Sequence, residues 1–205
     1  MRVAVDLRVL ELLSARLCHE LVSPIGAINN GVELLGEDDP EFVKDAVELI
    51  GQSGRKAARR LQFYRFAYGS GGSGGPDART LAAGLFEDGK IESTWSPEAA
   101  TLPLDWQKLA CNLVLVAADC LPRGGTIVVR PLRNGISGIE VKASGDAVTA
   151  SPEMRVAIGP DAAVDELTSR TVQPYFTARL AEQLGAQLTV ALAPGGELML
   201  TASAG

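Results

Sequence analysis

A single histidine, His19, is the only imidazole in this 205-residue chain, and its three cysteines, Cys18, Cys111 and Cys120, are odd in number and lack CxxC spacing. So few soft ligands leave no set for a dedicated transition-metal site and no disulfide framework, and no intrinsic metal or cofactor is expected. Each cysteine sits in a helical pattern and is expected to be a small buried hydrophobe. Positive charge is also short: 19 Lys and Arg against 25 Asp and Glu give a net charge of −6, which argues against a nucleic-acid backbone as partner. No stretch approaches the roughly 20 apolar residues that cross a bilayer. The first segment is interrupted by Asp6, Arg8, Glu11 and Arg16, so a cytoplasmic protein without a membrane partner is expected. Aromatic residues make up only 5%, and the length suffices for one or two modest cores.

What the chain does have is helical periodicity. Leu10, Leu13, Leu17, Leu21, Ile25, Ile28, Val32 and Leu35 recur three or four apart, the spacing of one face of a long amphipathic helix. Pro24 interrupts it and removes one backbone hydrogen bond, which predicts a local bend unless neighbours compensate. Gly36 to Pro40, GEDDP, carries stop and start signals between helices. A second stripe follows in Val43, Ala46, Val47, Ile50, Ala57, Leu61, Tyr64 and Tyr68, with Arg55, Lys56, Arg59, Arg60 and Arg65 making its later half basic. Two helices alone leave the far side of such a stripe in water, so a second copy closing a four-helix bundle is predicted, unless the rest of the chain covers it.

GSGGSGGP, Gly69 to Pro76, is the one low-complexity stretch and reads as a flexible connector. The organisation expected is therefore a helical hairpin over residues 1–70, a connector over 71–76 and an α/β domain over 77–205. In the last, helices are predicted near Asp77–Phe86, Asp105–Cys120 and Val172–Leu184. Strands are predicted near Ile91–Trp95 and in TIVVRPL, GIEVKA, MRVAIG, QLTVAL and ELMLTA, giving an α+β sandwich with helices on one face of a mixed sheet.

At about 100° per residue, His19 lies about 180° from the stripe between Leu17 and Leu21, so its ring is expected to face water. Ser23, Gly26 and Asn30 fall within about 40° of the same direction. These small or polar residues leave room for a macromolecule to approach. By itself, an exposed helical histidine is an ordinary solvated side chain. Here, however, the string His19-Glu20-Leu21-Val22-Ser23-Pro24-Ile25-Gly26-Ala27-Ile28 resembles the phosphoacceptor box of sensor histidine kinases, mid-helix proline included. A neutral imidazole is a good nucleophile near pH 7, and its phosphoramidate transfers readily to a carboxylate. Glu20 is a candidate for holding the other ring nitrogen or taking its proton, or is an ordinary exposed glutamate.

That resemblance implies that the second block is a kinase-like ATP-binding domain of the Bergerat type, yet its nucleotide boxes are degenerate. Asn112-Leu113-Val114-Leu115-Val116-Ala117 keeps the first asparagine of the kinase string but has Val116 where the second would hold Mg²⁺. Ala143-Ser144-Gly145-Asp146-Ala147 lacks the adenine-binding aspartate and the second glycine. Thr171-Val172-Gln173-Pro174 stands where a glycine cradle is expected. This combination resembles the ChpT-type histidine phosphotransferases of alphaproteobacterial phosphorelays. The likeness includes Cys18-His19-Glu20-Leu21, the run from Gly26 to Gly31, and Gln173-Pro174-Tyr175.

The resemblance implies a homodimer that shuttles a phosphoryl group through His19, from a receiver-domain aspartate of a hybrid kinase to CtrA-like response regulators. Mg²⁺ would be supplied by the receiver. His19 and Glu20 are then the catalytic candidates, and Ser23, Gly26, Asn30 and Arg59 the docking candidates. An active sensor-kinase core and a non-catalytic receiver-binding scaffold are the alternatives.

Overall fold

The computed structural model describes residues 6–69, 75–132, 138–193 and 195–204. Two long helices form an antiparallel hairpin, α1 (Leu7–Leu34) and α2 (Pro40–Tyr68). The Asp6 carboxylate caps α1 by accepting from the Arg8 amide at 2.8 Å. Asp39 caps α2 by accepting from the Glu41 amide at 2.9 Å, with Pro40 at the first helical position, as the GEDDP punctuation predicts. The helices meet closely at Gly31, which is buried: a Cβ there would lie 2.6 Å from the Ile50 side chain.

The remaining described α-helices and strands are α3 (Ala78–Phe86), β1 (Ile91–Trp95), α4 (Leu104–Asp119), β2 (Gly125–Pro131), β3 (Gly138–Ser144), α5 (Pro152–Ile158), α6 (Val172–Gln183), β4 (Ala186–Ala193) and β5 (Glu197–Ala204). The five strands form one mixed sheet in the order β1-β2-β3-β5-β4, with β1 parallel to β2 and the other pairs antiparallel. Alternate residues Ile127, Val129, Ile139, Val141, Leu198 and Leu200 turn inward and are completely buried, while Thr126, Arg130, Glu140, Lys142 and Thr201 lie on the outer face. Helices therefore cover one face of a mixed sheet, as the pattern predicts. Against that inner face lies α4, whose residues from Leu109 to Ala117 are all buried.

Two expectations are corrected. MRVAIG is not a strand but belongs to α5, because Ser151 accepts from the Met154 amide at 3.1 Å and Pro152 opens the helix; these start signals outweigh the β-branched run. Cys18 is exposed, whereas Cys111 and Cys120 are buried. Burial pushes the Cys120 thiol up to about 12 and raises that of Cys111 as well, so both behave as inert hydrophobes.

Much of the expected connector lies outside the described residues. On either side of it the core is continuous, with Phe63, Tyr64 and Ala67 of α2 in one cluster with Leu109, Leu113 and the sheet. A smaller cluster joins Val9 of α1 to Ala157, Leu167 and Val172. The base of the hairpin is thus packed onto the α/β part. Its far end is not: Val22 is 67% exposed, Val47 59%, and Val32 and Phe42 54% each. Among the described residues, no helix is long and apolar enough to cross a membrane.

Candidate functional site around His19

His19 sits where the anchored base of α1 gives way to its free end, and its side chain is exposed. One turn before it, a guanidinium nitrogen of Arg16 lies 2.8 Å from both carboxylate oxygens of Asp119, at the end of α4. Burial pushes the Asp119 carboxyl upward, while Arg16 opposes the shift. Arg8 adds a second tie, donating to the Leu167 carbonyl at 2.7 Å. These bonds hold the stretch of α1 that precedes His19 against the α/β part.

Glu20 is half-buried, and the Arg60 guanidinium from α2 lies 3.0 Å from its carboxylate. The same guanidinium donates to the Glu20 backbone carbonyl. That carbonyl is the one that Pro24, lacking an N–H, leaves without its intrahelical donor. Arg60 is therefore the compensating neighbour that the mid-helix proline requires. Sequence reasoning placed Arg60 only in a basic run; the signal that points to it is Pro24, which announces an open carbonyl four residues earlier.

Further along α1, Ser23 and Asn30 are exposed and Gly26 is partly exposed. A Cβ built on Gly26 would meet nothing within 4 Å. The intramolecular packing thus does not demand a glycine there, in contrast to Gly31. Arg59 does not join this strip. Its guanidinium lies 3.2 Å from Glu87 and 2.9 Å from Asp88, so its charge is neutralised at the foot of α3. What these contacts show for Arg59 is a tie between α2 and the end of α3. Arg55 and Lys56, one turn earlier on α2, are exposed.

Between α1, α4, α5 and α6 lies a cleft of about 640 Å³, lined among others by Arg16, Val116, Asp119, Thr171 and Pro174. These include the degenerate positions noted in the sequence. Val116 contributes an isopropyl group where a hard cation would need an oxygen. Asn112 faces elsewhere: its amide donates to the carbonyls of Ala67 at 2.8 Å and Lys108 at 2.9 Å. Its oxygen accepts from Gln173 at 3.0 Å, and Gln173 in turn accepts from the Tyr68 hydroxyl at 2.5 Å. The Asn112 side chain is fully buried and its bonding capacity largely taken up by the protein. Burial pushes the Tyr68 hydroxyl up to about 12.

Residues 75–196 match the histidine phosphotransferase C-terminal domain family. The chain is 36% identical over 193 residues to the protein phosphotransferase ChpT of Brucella abortus (strain 2308), covering 87% of this chain and 88% of that one. The chain belongs to the ChpT-type histidine phosphotransferase family. A solved structure described as a bacterial phosphotransferase superposes with a TM-score of 0.79 at 32% identity, over 98% of both chains. The histidine phosphotransferase match lies on the α/β part, and the ChpT and structural likenesses extend the relation across the hairpin that carries His19.

Proposed function

We propose that this histidine phosphotransferase is a two-way relay in which His19 is the phosphoryl carrier. The carrying observation is the exposed imidazole on a helix whose adjoining strip, Ser23, Gly26 and Asn30, is small or polar, with open space above Gly26. A receiver domain docks on this strip and brings its aspartyl phosphate to the ring. The unprotonated ring nitrogen attacks phosphorus, the N–P bond forms, the acyl phosphate P–O bond breaks, and the aspartate leaves as a carboxylate. The reverse step delivers the group to the aspartate of a second receiver. Glu20 places a carboxylate one residue from the ring, where its negative charge favours the cationic imidazole formed on attack. The donor in this reading is the receiver of a hybrid kinase and the acceptor a CtrA-like response regulator. The receiver's acidic pocket supplies Mg²⁺.

The exposed apolar residues at the far end of the hairpin support a homodimer closed as a four-helix bundle, since Val22, Val32, Phe42 and Val47 each leave apolar surface that water disfavours. The α/β part is read as a Bergerat-type domain that no longer takes nucleotide. Val116 in the cleft and the engagement of Asn112 with Ala67, Lys108 and Gln173 support that reading.

The test is phosphotransfer. A receiver phosphorylated by its hybrid kinase is mixed with the protein, and phosphohistidine is followed on acid-sparing gels. Transfer to the wild type and none to His19→Gln, with unchanged circular dichroism, is expected. Labelling of the isolated protein by γ-labelled ATP and Mg²⁺ would instead make it a kinase. Receiver binding without transfer would make it a scaffold.

A further inference from the structure

We infer that Arg60 is a positioning residue for phosphoryl transfer, acting through Glu20 on both its backbone and its side chain. The inference rests on the reading of His19 as the phosphoryl carrier and adds a residue to it. The argument begins with Pro24. A proline within a helix leaves the carbonyl four residues earlier without a donor, and that carbonyl belongs to Glu20, the residue after His19. An open carbonyl lets the backbone tilt, and a tilt there would swing the Cα from which the imidazole projects. Arg60 closes the gap from the opposite helix, donating to the Glu20 carbonyl and pairing with its carboxylate at 3.0 Å. Both side chains are largely shielded from water, with Arg60 20% and Glu20 30% exposed, so the pair is screened less than a surface ion pair.

The arrangement has two consequences. First, the register between α1 and α2 is set at the phosphoacceptor by a charged contact, in which one guanidinium nitrogen of Arg60 meets both the carbonyl and the carboxylate of Glu20, rather than by sliding apolar surfaces alone. Second, the Glu20 carboxylate is drawn toward α2, which fixes the distance from which its charge acts on the ring. Pro24 and Arg60 thus form one device: the proline vacates an acceptor and the arginine occupies it. Arg59, one residue earlier, cannot substitute, because its guanidinium is held by Glu87 and Asp88.

The experiment is single-turnover transfer from a phosphorylated receiver, measured against receiver concentration. It compares the wild type with Arg60→Met, Arg60→Lys, Pro24→Ala and the Pro24→Ala/Arg60→Met double variant. Arg60→Met keeps the aliphatic stem and removes every donor. Its maximal rate is expected to fall on the order of 10- to 100-fold, the scale of a misplacement near 1 Å, with little change in the concentration giving half the maximal rate. Arg60→Lys should recover part of the loss. Pro24→Ala restores the helix's own N–H to the Glu20 carbonyl, so removing Arg60 in that background should cost a smaller factor.

A raised half-saturating concentration with an unchanged maximal rate would make Arg60 a docking residue and overturn the proposal. Equal loss in both backgrounds would overturn the link to Pro24. Should Arg60→Met unfold, the double variant, whose helix carries its full bond ladder, and Arg60→Lys give the same readouts. If wild-type His19 takes no phosphate, the relay reading itself fails. Labelling of the wild type and Arg60→Met at equal rates sinks this inference alone.

Discussion

The two ends of the hairpin are built on different principles. At the base, Phe63, Tyr64 and Ala67 sink into the core of the α/β part, beside a bonded chain that runs from Tyr68 through Gln173 to Asn112. At the far end, Gly31 lets α1 close on α2, but Val22, Val32, Phe42 and Val47 face outward. The base covers much of its apolar surface within the chain, although Leu7, Leu10 and Leu61 stay in water. The outward side chains of the far end are those that the proposed dimer would cover. His19 stands at the junction, its helix fixed from below by Arg16 and Asp119 and its ring left open to a visitor.

The sharpest way to break this contrast is to hollow out the base. Phe63→Ala removes a fully buried ring and should cost about 3–5 kcal/mol in urea unfolding, in a single transition that hairpin and sheet share. Two separated transitions would mean that the base is not one core with the α/β part. At the far end, Val47→Glu should leave the fold in place and weaken self-association by on the order of 100-fold, read by sedimentation equilibrium, because a charge then lies in the apolar contact. Equal association of variant and wild type would move the proposed dimer contact elsewhere, and a monomeric wild type would remove it.

A third test uses alkali. The Tyr68 hydroxyl has an ordinary value of 10.0 and sits at about 12 in the fold because of burial. Between those values the unfolded chain releases a proton that the folded chain keeps, so stability falls as pH rises from about 10 to about 12. Cys120 acts in the same direction from pH 9.0 upward. Tyr68→Phe should flatten the alkaline limb of a melting-temperature profile without abolishing it. The smallest effects separate two glycines of one helix. Gly26→Ala should raise stability by about 0.5–1 kcal/mol, since the new methyl meets open space. It should also slow phosphoryl transfer, because the proposed docking places the receiver in that space. Gly31→Ala should lower stability by pressing on Ile50.

Periodicity and punctuation made most of this architecture legible. The hairpin follows from apolar spacing and the GEDDP turn, the sheet from β-branched runs, and the outward direction of His19 from helical geometry. The misreadings have local causes. In MRVAIG the β-branched residues drew attention away from the start signal formed by Ser151 and Pro152. Residue type alone puts Cys18 with the two buried cysteines, although it lies beside a residue that points to water. The basic run on α2 looked like one patch but is divided by the turn of the helix. Arg59 reaches Glu87 and Asp88, while Arg60, about 100° further round, reaches Glu20. Contacts made by a neighbour in space leave no trace in spacing. Only the missing N–H of Pro24 hinted at the second of these.

Because the foot of the hairpin and the sheet share one interior, the described hairpin is not a swinging arm with which to present or withhold its imidazole. In the proposed relay, traffic is then governed from outside, by how often charged and uncharged receivers arrive and how quickly each departs. A cell would tune such a junction by changing the supply of its customers, while the junction itself stays permanently open.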